Sequence, residues 1–175
     1  SGKSVATAKW ITIESLRHRQ DCRIWCLDGI VANSAEFLSQ HAELLGIPVE
    51  TTWNPGLPPC SREFLDLPGW NPTDPDVSDR MANLLDRFEP DCLLLTLNAA
   101  YEASILQNQV VQFMPFRPHG LLLTHLDECQ SPSKIWDLVL ASGIAVFGTS
   151  SGRFIPGGFE RTGGEAWMER LFEQV

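Results

Sequence analysis

The chain has 175 residues, 43% of them hydrophobic and 20% charged, with a formal net charge of −9. That length fits one domain with a sizeable core, and the composition is that of an ordinary globular protein. The acidic excess argues against a surface that coats nucleic acid or an anionic membrane. No run of about 18 apolar residues occurs and no signal peptide is visible, so neither a membrane span nor a secreted product is expected. The five cysteines, Cys22, Cys26, Cys60, Cys92 and Cys129, form no C-x-x-C pair. Cys22, Cys26 and Cys92 lie in or beside apolar runs and read as buried thiols of a reducing cytosol, with zinc not expected.

The chain opens Ser1-Gly2-Lys3-Ser4, and a helical pattern follows through Ala6, Trp10, Ile13 and Leu16 to the basic cluster Arg17-His18-Arg19, which suits a helix C-terminus. "CRIWCLD" (22–28) reads as a buried strand, and a helix runs from Ala35 to Leu45 until Gly46 stops it. "IPVE" (47–50) is a short strand, "TTWNPGLPPCS" (51–61) a loop, and "REFLD" a strand ending at Asp66. After the loop "NPTDPD" a helix is expected from about Val77 to Phe88, then a strand in "DCLLLTLNA" (91–99) and a helix from Glu102 to Phe113. "GLLLTHLD" (120–127) is the next strand. Ser131-Pro132 opens a helix to Ala141, with proline in its first turn, and "GIAVFGT" (143–149) is the last strand. The closing "GGEAWMERLFEQV" reads as an amphipathic helix, with Glu165, Glu169 and Glu173 in solvent and Ala166, Trp167, Leu171 and Phe172 on its apolar face. Continuous apolar strands separated by helices predict a three-layer α/β fold with a mostly parallel sheet.

In such sheets ligands sit at the strands' carboxyl ends. Four expected strand ends carry polar residues in order: Asp28; Asp66-Leu67-Pro68-Gly69; Thr124-His125-Leu126-Asp127; and Thr149-Ser150-Ser151-Gly152. A lone aspartate there is often only a helix N-cap. The set lies behind Gly2-Lys3-Ser4, the back half of the phosphate-loop pattern G-x-x-x-x-G-K-[ST]. In that loop the lysine reaches the outer phosphates and the hydroxyl holds magnesium. The tripeptide by itself decides little, since chance or a cloning remnant also produces it. Together with the strand ends it predicts a nucleotide site. Carboxylates there can hold magnesium directly or through water, and Asp127 can accept paired hydrogen bonds from a guanine edge.

Five stretches, in order, give the chain a family resemblance: "GKSVATAKW", "LDGIVANSAEFLSQHAELLGIPVE", "LDLPGW", "LLLTHLDE" and "GTSSGRFIPGGFE". They resemble the GKTTT-x-AKL, D-T-x-R-x-x-A, D-T-A-G-R, T-K-L-D-E and closing T-G-Q-x-V-P-E-D segments of the signal-recognition-particle GTPases, most of all their flagellar branch. The resemblance implies one P-loop GTPase-type domain over residues 1–175, binding GTP or GDP with Mg2+. Lys3, Gly2 and Ser4 would take the phosphates, Ser4 and Asp66 the magnesium, and Asp28 a place near the attacking water. Gly69, Thr124, Asp127, Ser151 and Gly152 would complete the nucleotide site, with Asp127 reading guanine. It also implies that a central strand and the front of the phosphate loop precede Ser1. The expected setting is the cytoplasm or, peripherally, the inner membrane. Partners would be guanine nucleotide, a nucleotide-dependent homodimer or a partner of the same family, with no nucleic acid.

Departures from the motifs are concentrated in one kind of position. Val31 stands for the arginine of D-T-x-R, Phe37 for a glutamine, Trp70 for the arginine of D-T-A-G-R and Leu67-Pro68 for its Thr-Ala. His125 replaces the lysine of T-K-x-D, Arg153 replaces the closing glutamine, and only the loop 51–61 stands where an insertion box is expected. Groups expected to hold nucleotide and metal are kept, while those expected to stabilise transferring charge are mostly lost. The expectation is a nucleotide-binding domain with weak or absent hydrolysis. A nucleotide-free pseudo-GTPase scaffold is the alternative, and an unrelated P-loop kinase or ATPase a third reading, disfavoured by Asp127. Most of the tryptophans read as packing residues, and His18, His41 and His119 as surface or cap residues.

Overall fold

The computed structural model describes residues 2–27, 34–54, 56–67, 75–155 and 157–162. Contacts divide the chain into two units: Lys3–Val77 with Arg153–Gly157, and Ser78–Gly152 with Ser1–Gly2 and Gly158–Val175.

The first unit is built on a three-stranded parallel sheet, β2 (Val49–Glu50), β1 (Cys22–Cys26) and β3 (Arg62–Asp66), with β1 in the centre. Strand β1 is buried along its whole length, Arg23 included, as a strand in the middle of a covered parallel sheet is. Its even positions, Cys22, Ile24 and Cys26, meet two helices, α1 (Lys3–Thr12) and α2 (Ser34–Leu44). Ala8 and Ile11 from α1, Leu38 and Ala42 from α2, and Phe64 from β3 complete that core. Trp10 stands edge-on to Phe64, centroids 5.1 Å apart, and so fixes α1 against β3. Helix α2 ends where expected, because Gly46 adopts φ +67°, a conformation that costs glycine nothing.

The odd positions of β1 carry a charge network under the loop 51–61. Arg23 lies opposite Glu63 in the β1–β3 register and donates to it at 2.9 Å, while its other amine donates to the Pro58 carbonyl at 2.8 Å. The Trp25 indole N–H donates to the second Glu63 oxygen at 3.2 Å, and its ring lies 4.7 Å from that of Trp53. The proline-rich loop is therefore held onto the sheet face by a guanidinium that is itself buried. Removing Glu63 is the costly way to break the pair, since it leaves the buried guanidinium without its countercharge, whereas Glu63 itself is exposed to water.

Beyond Thr12 the first helix widens into a π-helical turn, Ile13–Arg17, closed by His18 N–H donating to the Ile13 carbonyl at 3.0 Å. Glu14 in this turn is buried, yet its carboxylate accepts from the Trp10 indole N–H at 2.9 Å and lies 3.2 Å from His18 Nδ1.

The second unit holds a four-stranded sheet in the order β4 (Leu94–Asn98), β5 (Gly120–Thr124), β6 (Val146–Ser150), β7 (Phe159–Arg161). The first three strands run parallel and β7 is antiparallel to β6. Strand β5 is buried throughout, and Leu121 and Leu123 meet Leu106 and Val110 of α4 (Ala103–Phe113) and Ile135 and Leu138 of α5 (Ser133–Ser142). Helix α3 (Pro75–Phe88) precedes β4. Among the described residues β3 and β4 each pair on one side only.

Several sequence expectations change here. The strand expected over 120–127 ends at Thr124, because His125 turns left-handed (φ +53°) into a 3₁₀ turn, Leu126–Glu128. Strand β6 begins at Val146 rather than 143, and β7 was not expected at all: only Phe159 of its three residues is buried, so it carries no readable alternation. Cys92 is exposed rather than buried, as it precedes β4; Cys22 and Cys26 are buried as expected. Burial, aided by the nearby Glu14, pushes the Cys22 thiol up to about 11. His41 is half-buried and shares a 2.8 Å hydrogen bond with Thr12. The segment expected to form a closing helix, Trp167 included, lies outside the described residues.

The Glu14 network gives a pH-dependent prediction. Burial alone would raise its carboxyl pKa, but donation from Trp10 and the charges of His18 and Arg62 outweigh it and hold the group below its ordinary 4.5. A depressed folded-state value contributes stability that is complete above about 4.5 and is lost as pH falls through the folded value. Glu14→Gln is expected to cost about 1–2 kcal/mol at neutral pH. In urea titrations its deficit against wild type should shrink as pH falls below the ordinary carboxylate range.

Candidate functional site

Two groups of residues meet at strand ends, one in each unit. In the first, Lys3 is the opening residue of α1 and Asp66 the last of β3. The Lys3 ammonium sits 2.8 Å from Asp66 Oδ1 and also donates to the Leu67 carbonyl. Asp66 is nearly inaccessible, whereas about a quarter of the lysine side chain (26%) remains exposed. A carboxylate this deeply buried needs a cation beside it, and Lys3 is that cation. Ser4 follows in the first turn of α1, where backbone N–H groups lack partners within the helix.

In the second unit Gly2 lies against the end of β5. Its φ of +72° suits glycine, and a Cβ built on it would come within 3.0 Å of His125 Nε2 and 3.1 Å of Thr124 Oγ1. Both the conformation and the close approach exclude a side chain. Thr124 is buried and its hydroxyl donates to the Leu97 carbonyl of β4 at 3.1 Å, tying two strand ends together. Asp127 is exposed on the 3₁₀ turn that follows. His125 Nδ1 lies 3.3 Å from Glu128 Oε1. Ser151 and Gly152 continue from β6; the Ser151 N–H donates to the Gly158 carbonyl at 2.7 Å, and Gly152 has φ +67°.

The structure thus brings Lys3 to Asp66 and Gly2 to Thr124, and places Asp127, Ser151 and Gly152 just beyond parallel strands of the second sheet. Asp28 and Gly69, with Val31, Pro68 and Trp70, lie outside the described residues. Phe37 stacks on His41 with ring centroids 6.4 Å apart, and Arg153 is exposed. Two contributors were not anticipated. The Leu67 carbonyl has no signature, because every residue has one. Glu128 could have been found, since it stands three residues beyond His125 in a turn. Among the described residues no cluster of three or more histidine, cysteine or acidic side chains is arranged to hold a metal ion, and no helix is long and apolar enough to cross a membrane.

The mostly parallel α/β fold is similar to those of solved signal-recognition-particle-type GTPases. FlhF complexed with GMPPNP and Mg2+ matches with a TM-score of 0.81 and 21% identity, over 98% of this chain and 69% of that one. FtsY from Thermotoga maritima matches at 0.75 and 18%, over 98% of this chain and 64% of that one. The 54 kDa signal-recognition-particle protein from Aeropyrum pernix, in complex with GDP, matches at 0.72 and 16%, over 99% and 46%. At these identities the likeness is one of fold. No protein-family model and no curated sequence matches the chain.

Thr124 supplies the test of this geometry. Thr124→Val keeps the shape but leaves the Leu97 carbonyl without its donor, and should cost about 1–3 kcal/mol in chemical denaturation. Thr124→Ser, which keeps the hydroxyl, should cost clearly less.

Proposed function

We propose that residues 1–175 form a single guanine-nucleotide-binding domain of the signal-recognition-particle GTPase type, with weak or absent hydrolysis. One observation carries this reading: a helix-opening lysine set against a buried strand-end aspartate, the pairing of charges that a phosphate–magnesium site needs. Lys3, with Gly2 and the N–H groups of the first helical turn, would receive the phosphates. Asp66 and the Ser4 hydroxyl are hard oxygen donors of the kind Mg2+ prefers, and when bound the ion would neutralise phosphate charge. Asp127 would read guanine, beside Thr124, with Gly69, Ser151 and Gly152 completing the nucleotide contacts. Asp28 would sit near the attacking water.

Weak hydrolysis follows from what this chain puts at the remaining positions. Phosphoryl transfer depends almost wholly on positioning and on charge stabilisation, and loss of a single stabilising arginine costs on the order of 10³-fold. Val31, Phe37 and Trp70 offer no cation to a transferring phosphoryl group. An imidazole at His125 would cover a guanine face less fully than a lysine stem, weakening base selectivity without abolishing it.

The same reading extends to setting and partners. It places the protein in the cytoplasm, or peripherally at the inner membrane, in the positioning of flagellar or protein-export machinery. A homodimer controlled by nucleotide, or a partner of the same family, would be its output. The short loop 51–61, bound down by Arg23 and Glu63, argues that any such contact differs from one made through a full insertion box. A second reading, a nucleotide-free scaffold, draws on the fact that Lys3 and Asp66 already satisfy each other.

Calorimetry of the full-length protein with GTP, GDP and ATP in magnesium separates these. Guanine nucleotides should bind and ATP much less, and Lys3→Ala should weaken binding by about 1.5–3 kcal/mol. Binding of none of the three would leave the scaffold. In single-turnover assays wild type should hydrolyse GTP near the uncatalysed background. Val31→Arg with Trp70→Arg should raise turnover more than affinity, because catalysis needs contacts made mainly in the transition state. Brisk wild-type turnover without a partner would refute the proposed weakness.

A further inference from the structure

His125 stands where the T-K-x-D motif has its lysine, and the structure fixes its ring from two sides. Its backbone is left-handed, φ +53° and ψ 37°, a conformation that a residue with a side chain keeps only where its surroundings enforce it. Two contacts with Glu128 supply that enforcement. The Glu128 N–H donates to the His125 carbonyl at 3.1 Å, and His125 Nδ1 lies 3.3 Å from Glu128 Oε1. With Nδ1 engaged there, the other ring nitrogen is the one that meets Gly2. Nε2 lies 3.0 Å from where a Cβ of Gly2 would stand, so it abuts the backbone of the residue before Lys3. With 36% of its side chain exposed, the imidazole still exchanges protons with water.

We propose that His125 makes nucleotide affinity respond to pH: its proton adds a positive charge beside the phosphate loop and so tightens the binding of an anionic ligand. The proposal rests on the nucleotide-binding reading and gives that site a regulation. Imidazole is the side chain whose charge changes near neutral pH, whereas a lysine would stay charged throughout that range. The charged groups around the ring set the sign. Asp127 and Glu128 lie on its own turn, and among the described residues Glu128 is the charged side chain paired with it. On the Gly2 side the next residue, Lys3, is engaged by Asp66. With the imidazole neutral, the turn carries a net double negative charge; with it protonated, a single one. Linkage makes the effect reciprocal, so nucleotide binding takes up protons at His125.

Calorimetry of the full-length protein with GDP in magnesium, across the neutral pH range, tests this against His125→Gln and His125→Lys. The proton equilibria of GDP itself are common to all three proteins, so the differences between them isolate the imidazole. From about pH 8 down to about pH 6, wild type should gain roughly 3- to 10-fold in affinity relative to His125→Gln, the effect of one partly screened charge. His125→Lys should show no such gain and should bind at least as tightly as wild type at the upper end of the range. Glu128→Gln, which removes an acid from the turn, should also bind more tightly than wild type there. A second measurement needs no nucleotide: in heteronuclear NMR spectra the Gly2 amide should shift with pH in wild type and much less in His125→Gln. Thermal melts confirm that the variants are folded. Equal pH dependence of affinity in wild type and His125→Gln would overturn the proposal. Absence of GDP binding by wild type at every pH would instead overturn the nucleotide reading. A Gly2 amide that titrates alike in wild type and His125→Gln would then overturn the reach of the histidine as well.

Discussion

Complete burial of β1 and β5 is the constraint on which everything else depends. A strand sealed along its length cannot carry polar side chains without a partner, so polar chemistry is driven to where the strand stops. Parallel pairing then puts those stops on the same edge of a sheet, because each chain must cross over before the next strand begins. Thr124 and Ser150 belong to β5 and β6, and Asp66 to β3, each as the last residue of its strand. The exception proves instructive: Arg23 is a charge within a sealed strand, and it is tolerated because Glu63 lies directly across the ladder.

Much of this was legible in the sequence because apolar runs bounded by glycine, proline and polar residues are the direct imprint of buried parallel strands. The helices read well for the same reason, and Gly46 marked its own turn. What escaped were features without a local signal. Strand β7 is short and mostly exposed, and the π-helical turn at Glu14 looks like continued helix in any periodicity. Arg23 reads as an interruption of an apolar run until Glu63, forty residues on, is set beside it. In the candidate site the side chains Lys3, Asp66 and Thr124 could be named from their types and order. That Lys3 touches Asp66 could not, because contact across more than sixty residues is a property of the packing of α1 on β3.

On the reading proposed above, the fold would outlast part of its chemistry. Holding a charged ligand requires a few countercharges on rigid elements, and Lys3 and Asp66 stand at the ends of such elements. Accelerating a reaction requires further groups aimed at charge that exists only fleetingly. Retention of the architecture and retention of turnover are separable demands on the same sequence.

The docked loop 51–61 has an optical consequence. Trp25 and Trp53 stand 4.7 Å apart with their rings inclined at 56°, and the Arg23 guanidinium lies 5.7 Å from the Trp25 ring. Two indoles that close and that skewed share their electronic excitations, which gives a paired, oppositely signed band in far-ultraviolet circular dichroism. One of the rings belongs to the sheet and the other to the loop, so the band exists only while the loop is seated. The protein thus carries a native chromophore pair that registers the state of this surface without any label.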